Sequence, residues 1–362
     1  MTGSIVSGRT TIPVRNLWLL MLYASKLFAT NGRIRSGAEQ HPDDLPDLVT
    51  EILVTAVDRR LQRHLSQTYV DRRESLTRVR GRIDVLRTES AQLLSRGRVA
   101  CRFTELDVDN PRNQLLLAAL RVGGGLAQSP ELAHRCRQLA GMMGQIGVSA
   151  VVLSPDAADR IMLGRNDSDD TDAVNAARLL LRMNLPNEDT GFRHRMAPLR
   201  DVEEIRRLYE AAVRGLYRVA LPQPWRVHAG ETRHTWPVTE SSGGAAAILP
   251  VMRTDVILES PDRRIIVETK FADALKPNHY GVPKLSRDHM FQLYAYVQSQ
   301  SGRDALAPTT EGVLLYPVVG GELDEYVVIG GHRYRFLTVD LAGPAATIRR
   351  RLLSVTADGS AV

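Results

Sequence analysis

The sequence predicts a mixed α/β fold in two parts, and three observations carry the prediction. Over residues 166–362 the apolar patterns follow the order helix, three strands, helix, strand, which is the pattern of one mixed sheet covered by helices. Over residues 1–165 a helical period is interrupted by a stretch of period two, a helical part carrying a β-ribbon. The length of 362 residues is enough for about two domains with cores of their own, and 43% hydrophobic with 24% charged residues is the composition of a folded chain.

The first predicted element is a buried helix, LWLLMLYASKLF, with Pro13 near its start. Its apolar run from Leu17 to Ala24 is far shorter than the roughly 18 residues a membrane span needs, so no membrane segment is expected. A helix over 45–65 follows. The period then becomes two from Leu76 to Arg87, placing Val79, Ile83 and Val85 on one strand face and Arg80, Arg82 and Asp84 on the other. Residues 98–108 supply the companion strand. Helices are expected over 113–122 and 131–143, with the glycines at 123–125 as a stop between them. Asn166–Asp172 lacks the Gly and Glu of a calcium loop and reads as a solvated linker, the boundary between domains 1–165 and 166–362.

Beyond it the spacing predicts helices over 173–183 and 201–219, then strands over 225–232, 249–259 and 264–271. A helix over 285–300, strands over 312–317, 326–329 and 334–339, and a closing helix over 345–353 complete the order. Cys101 and Cys136 form no zinc or disulfide pattern, and a reducing cytoplasm is the expected location. The formal net charge of +6 points to polyanionic partners, but the excess lies in residues 1–165, with 23 basic against 16 acidic side chains; the remainder has 24 against 25. Of the basic residues, 43 are Arg and only four are Lys: Lys26, Lys270, Lys276 and Lys284.

The stretch from Met252 to Lys270 carries the chemistry. Two apolar strands flank the turn Ser260–Arg263, and closing it between Glu259 and Arg264 sets Asp255 opposite Glu268. Directly opposed Cβ atoms lie about 5 Å apart, within reach of one shared divalent cation. Glu268 and Lys270 share a face and Thr269 points away. Oxygen ligands without His or Cys suit Mg²⁺, or Mn²⁺, and an adjacent ammonium suits phosphodiester hydrolysis. On the following helix Gln292 and Tyr296 are four apart and share a face.

The spacing of Asp255, Glu268 and Lys270 resembles the PD-(D/E)xK nuclease superfamily, whose restriction-endonuclease-like domain has the order αβββαβ. That resemblance assigns catalysis to Asp255, Glu268, Lys270 and Gln292, metal binding to Asp255 and Glu268, and an additional metal-associated carboxylate to Glu210. IPVRNLWLLMLYASKLF, Arg80–Asp84, Phe103–Leu116, MRTDVIL and IIVETKF together resemble the McrC family, the nuclease subunits of restriction systems that attack DNA with modified cytosine. Members commonly carry Asp where Glu268 stands and Pro where Thr254 stands. The resemblance implies a DNA endonuclease that stimulates, and is driven by, a McrB-like hexameric AAA+ GTPase engaged through residues 1–165. Arg78, Arg80 and Arg82 then face either that partner or DNA. A neutral nuclease half implies weak DNA binding by the isolated chain. The rival readings are a non-catalytic adaptor of an NTPase ring and an autonomous structure-specific nuclease.

Overall fold

The computed structural model describes residues 4–7, 10–37, 42–164, 167–184, 202–228, 232–234, 236–277, 279–318 and 322–357. Two compact units emerge, one of residues 1–45 with 185–362 and one of residues 46–184. The units therefore divide at 45/46 and 184/185, which corrects the boundary expected after residue 165; residues 165 and 166 themselves lie outside the described residues.

In chain order, β1 (Ser4–Ser7) and β2 (Thr10–Pro13) pair as a hairpin ahead of α1 (Val14–Ala24), α2 (Lys26–Thr30) and α3 (Gly32–Gly37). The long first helix expected from the apolar run breaks at Ser25, whose hydroxyl accepts the Phe28 N–H at 3.3 Å and starts a second helix. Helix α1 is buried on nearly every side, and it joins the C-terminal part of the chain. Asn16, 1% exposed, donates to the carbonyls of Leu341 (2.8 Å) and Gly343 (2.9 Å), which satisfies two acceptors across more than 300 residues.

The second unit contains α4 (Leu45–Arg63), β3 (Thr68–Leu76), β4 (Arg82–Ile83), α5 (Val85–Ser90), β5 (Val99–Asp107), α6 (Pro111–Leu126), α7 (Pro130–Ile146), α8 (Pro155–Asp159) and α9 (Thr171–Asn184). The long arm of the ribbon is β3, which pairs with β5 from Thr68 opposite Asp107 to Leu76 opposite Val99. The strand expected over 76–87 is instead a turn, the two-residue β4 and helix α5. Asp84 ends it by capping α5 through the Arg87 N–H (3.2 Å), so the period-two reading failed where a cap competed with the ladder.

Two other expectations are corrected here. Helix α6 runs through Gly123–Gly125 instead of stopping there. A Cβ on Gly123 would lie 3.0 Å from Thr50 Oγ1 and 3.4 Å from Leu180, so the glycine lets α4 and α9 approach. The acidic stretch before α9 is not a solvated linker either: Asp170 is 1% exposed and Asp167 half-buried, and Arg112 reaches both at 2.8 and 2.6 Å while Arg60 also pairs with Asp170. Paired arginines remove the reason for those acids to face water.

The rest of the first unit is α10 (Val202–Ala220), β6 (Arg226–Val227), β7 (Thr232–His234), α11 (Ala245–Ile248), β8 (Met252–Thr254), β9 (Val256–Glu259), β10 (Arg264–Thr269), β11 (Leu275–Pro277), β12 (Pro283–Leu285), α12 (Arg287–Gln298), β13 (Thr310–Val318), β14 (Asp324–Ile329), β15 (His332–Asp340) and α13 (Ala345–Leu353). Of the strand expected over 225–232, only β6 and Thr232 are strand, and 229–231 lie outside the described residues. A six-stranded mixed sheet has the order β14-β15-β13-β10-β9-β6, with β10, β13 and β15 mutually parallel. The central strand β10 is buried along all six residues, and Leu293 and Val297 of α12 share one core cluster with Ile266 of β10 and with Leu314 and Tyr316 of β13. A parallel strand covered on both faces needs the continuous apolar run that Ile265–Val267 supplies. Among the described residues no helix is long and apolar enough to cross a membrane.

Candidate active site

The hairpin register is the expected one. Glu259 pairs with Arg264, Leu258 with Ile265, Ile257 with Ile266 and Val256 with Val267. The ladder stops there, one pair before the site, and Asp255 occupies the bend between β8 and β9. Released from the ladder, its Oδ2 accepts the backbone N–H of Thr269 at 2.8 Å and the Thr269 hydroxyl at 2.7 Å. Thr269 was expected to point away from Asp255, and this contact corrects that. Oδ1 of Asp255 carries no hydrogen bond among the described residues.

Glu268, the last residue but one of β10, is 1% exposed, and Lys270, just beyond the end of the strand, is 5% exposed. Lys270 Nζ donates to Glu268 Oε1 and to Gln292 Oε1, both at 2.7 Å, and Gln292 Nε2 donates to the Tyr296 hydroxyl at 2.7 Å. The i, i+4 pair on α12 thus works as a chain: Tyr296 orients the amide, and the amide oxygen orients the ammonium. Glu210 of α10 belongs to the same charge cluster. It pairs with Arg214, one turn on, and Arg214 Nε donates to the Asp255 carbonyl at 3.3 Å.

Burial, with the Asp255 carboxylate beside it, pushes Glu268 up to about 7, against the pull of Lys270. Glu210 is likewise raised, first by burial and then by Asp255. Glu268 Oε2 is buried without a hydrogen-bond partner. An orphaned carboxylate oxygen between acids that disfavour each other's charge fits a divalent cation. Among the described residues no group of three or more His, Cys, Asp or Glu side chains is arranged to hold a metal. Mg²⁺ takes one or two carboxylates and completes its shell with water and substrate phosphate, and Asp255 with Glu268 would supply two.

A pH dependence follows. Glu268 in the folded chain binds a proton up to about pH 7, whereas the unfolded chain releases it near 4.5. The native state therefore holds more protons in between, and its stability falls as pH rises from about 4.5 to about 7, by roughly 3 kcal/mol. In thermal melts without divalent cation we expect this decline, with added Mg²⁺ raising the melting temperature more at pH 8 than at pH 5.5. A Mg²⁺ effect of equal size at both pH values contradicts the assignment.

Spacing did not find Thr269, Arg214, His289 or Tyr316. His289, one turn before Gln292, shares a hydrogen bond of 3.1 Å with the Tyr316 hydroxyl, and it is lowered by burial and then by Lys270 and Lys276. The i, i+4 relation of Glu210 and Arg214 was the one visible signal among these four. Arg78, Arg80 and Arg82 belong to the other unit and are exposed. Arg80 pairs with Glu105 at 2.9 Å and its guanidinium lies 4.2 Å from the centre of the Phe103 ring; among the described residues Arg78 and Arg82 have no ion pair.

The family described as "McrBC 5-methylcytosine restriction system component" matches residues 6–317. The type IV methyl-directed restriction enzyme EcoKMcrBC of Escherichia coli K12 is 21% identical over 351 residues, which span 95% of this chain and 97% of that protein. Among solved structures, a half-complex from the tetradecameric assembly of Thermococcus gammatolerans McrB AAA+ hexamers with bound McrC aligns over 98% of this chain and 82% of its own. It is 14% identical, with a TM-score of 0.45. The Thermococcus gammatolerans McrBC complex aligns over 49% and 57%, at 16% identity and a TM-score of 0.33.

Proposed function

Because the chain belongs to the McrBC 5-methylcytosine restriction system component family, we propose that it is the Mg²⁺-dependent DNA endonuclease subunit of such a system, a PD-(D/E)xK phosphodiester hydrolase. One observation carries this reading: a buried lysine bridges Glu268 and Gln292 beside Asp255, and the second oxygen of Glu268 has no partner. A structural ion pair has no use for an orphaned oxygen, whereas a metal-dependent hydrolase does.

In this reading Asp255 and Glu268 hold Mg²⁺, with Glu210 at the edge of the same cluster. The bound metal supplies Lewis-acid stabilisation of phosphoryl charge and a water of lowered pKa. The chain's own residues supply orientation. Thr269 fixes one Asp255 oxygen and leaves the other for the ligand. Lys270, with two of its three donors engaged, retains one for the attacking water or a phosphate oxygen. The test is plasmid cleavage with modified cytosine, Mg²⁺, GTP and the partner, in which Asp255→Ala cuts at least about 100-fold more slowly than wild type. Cutting by that variant at the wild-type rate sinks the site.

The partner we assign is a McrB-like AAA+ GTPase hexamer, and the substrate is DNA carrying modified cytosine. Support comes from the exposed tip of the ribbon, where Val79, Val85, Leu86 and Leu94 are 60–84% exposed beside Arg78 and Arg82. Apolar side chains rimmed by arginines mark a protein interface more than a DNA-binding face. Arg78→Ala with Arg82→Ala is expected to lower stimulation of the partner's GTPase at least about tenfold, the loss expected from truncating interface arginines. Unchanged stimulation, with DNA binding lost instead, assigns these arginines to DNA.

A further inference from the structure

A hairpin that sequence reading did not foresee, β11 with β12, leaves the sheet just after Lys270 and returns into α12, the helix of His289 and Gln292. Both of its ends are anchored, by Ala274 in the core and by Leu285 against it, while the strands between are exposed. A cleft of about 450 Å³ separates it from α12 and the β14–β15 edge. The pairing sets Lys276 directly opposite Lys284, and Pro277 opposite Pro283.

Two-stranded hairpins are marginal on their own, and like charges directly opposed weaken them further. Among the described residues neither lysine has an ion pair with a carboxylate, and these are two of only four lysines in the chain. Opposed prolines deny the ribbon backbone donors for another strand, so sheet extension is a poor use for it. Lys276 also acts on the electrostatics of His289 together with Lys270, which places the hairpin's charge within the field of the site.

We propose that this hairpin is a phosphate clamp, with Lys276 and Lys284 gripping the backbone of duplex DNA beside the candidate nuclease centre. The inference rests on the nuclease reading for its choice of polyanion. Two ammonium groups on one face, flexible and without a planar fork, suit backbone phosphates and not base edges.

The test is fluorescence anisotropy of a 30-bp labelled duplex with the full chain, without divalent cation, from 25 to 150 mM KCl. Lys276→Gln with Lys284→Gln is expected to weaken binding about tenfold at 50 mM KCl and to flatten the slope of log K against log[KCl] by about 2, at roughly 0.9 per phosphate contact. Lys276→Arg with Lys284→Arg is expected to keep the wild-type slope, and all forms to keep the wild-type melting temperature and Mg²⁺ stabilisation. A glutamine pair with the wild-type slope, or a wild type with no salt-dependent binding, overturns the clamp. Cleavage assays in parallel separate the two ideas. Normal cutting with an unchanged slope removes the clamp and leaves the nuclease, whereas a flattened slope in a chain that never cuts removes the nuclease and leaves a DNA-binding hairpin.

Discussion

Lys270→Ala is expected to abolish cleavage of modified plasmid DNA, with a loss of at least about 1,000-fold in the presence of Mg²⁺, GTP and partner, since both positioning and charge stabilisation disappear with it. Lys270 is 5% exposed and its ammonium is held by Glu268 and Gln292 at 2.7 Å each. Lys270→Arg is expected not to rescue, because a planar guanidinium does not fit the space and bonds of a tetrahedral ammonium. The same variant has a stability signature. Removing one partner of a buried pair costs about 3–5 kcal/mol when the other stays charged, but Glu268 is already raised to about 7 and can take up a proton. Melting should therefore change little at pH 6 and drop clearly at pH 8, while activity is lost at both. Wild-type cleavage by Lys270→Ala refutes the catalytic assignment.

Gly215→Ala is expected to unfold the unit that carries the site. A Cβ there would stand 1.9 Å from the Tyr23 carbonyl oxygen and 2.9 Å from its carbon, backbone atoms that cannot swing aside. Gly215 is where α10 meets α1, and α10 carries Arg214 immediately before it and Glu210 a little over one turn before it. A methyl group forces these helices apart, at a cost above about 4 kcal/mol. The measurement is soluble yield and thermal melting of the full chain, and a folded Gly215→Ala with the wild-type melting temperature would falsify this account of the contact. The prediction is independent of function, since it follows from two helices and one missing side chain.

The site was more legible than the fold around it. Asp255, Glu268 and Lys270 could be brought together because a hairpin with a polar turn has only a few registers, and burying both strands selects among them; the observed pairing keeps that register up to Val256 opposite Val267. The bond between Thr269 and Asp255 was missed because Asp255 lies in a bend beyond the β9–β10 pairing, which ends at Val256 opposite Val267, so its carboxylate does not follow the alternation of a strand. The ribbon was misread at 76–87 for a similar reason, as Asp84 favours a helix cap over a strand. Glycines 123–125 look like a stop until two neighbouring helices need the space.

The sequence by itself determined the local choices: which runs are apolar at which period, where a turn must fall, and therefore which acids and which lysine meet at the end of one hairpin. Only the tertiary structure decided which segments share a core. Helix α1 stands among the first residues yet closes the unit of the last, through Asn16 on Leu341 and Gly343 and through its contact at Gly215. Hydrophobic burial has no direction along the chain, so patterning says that a face will be covered and not by what.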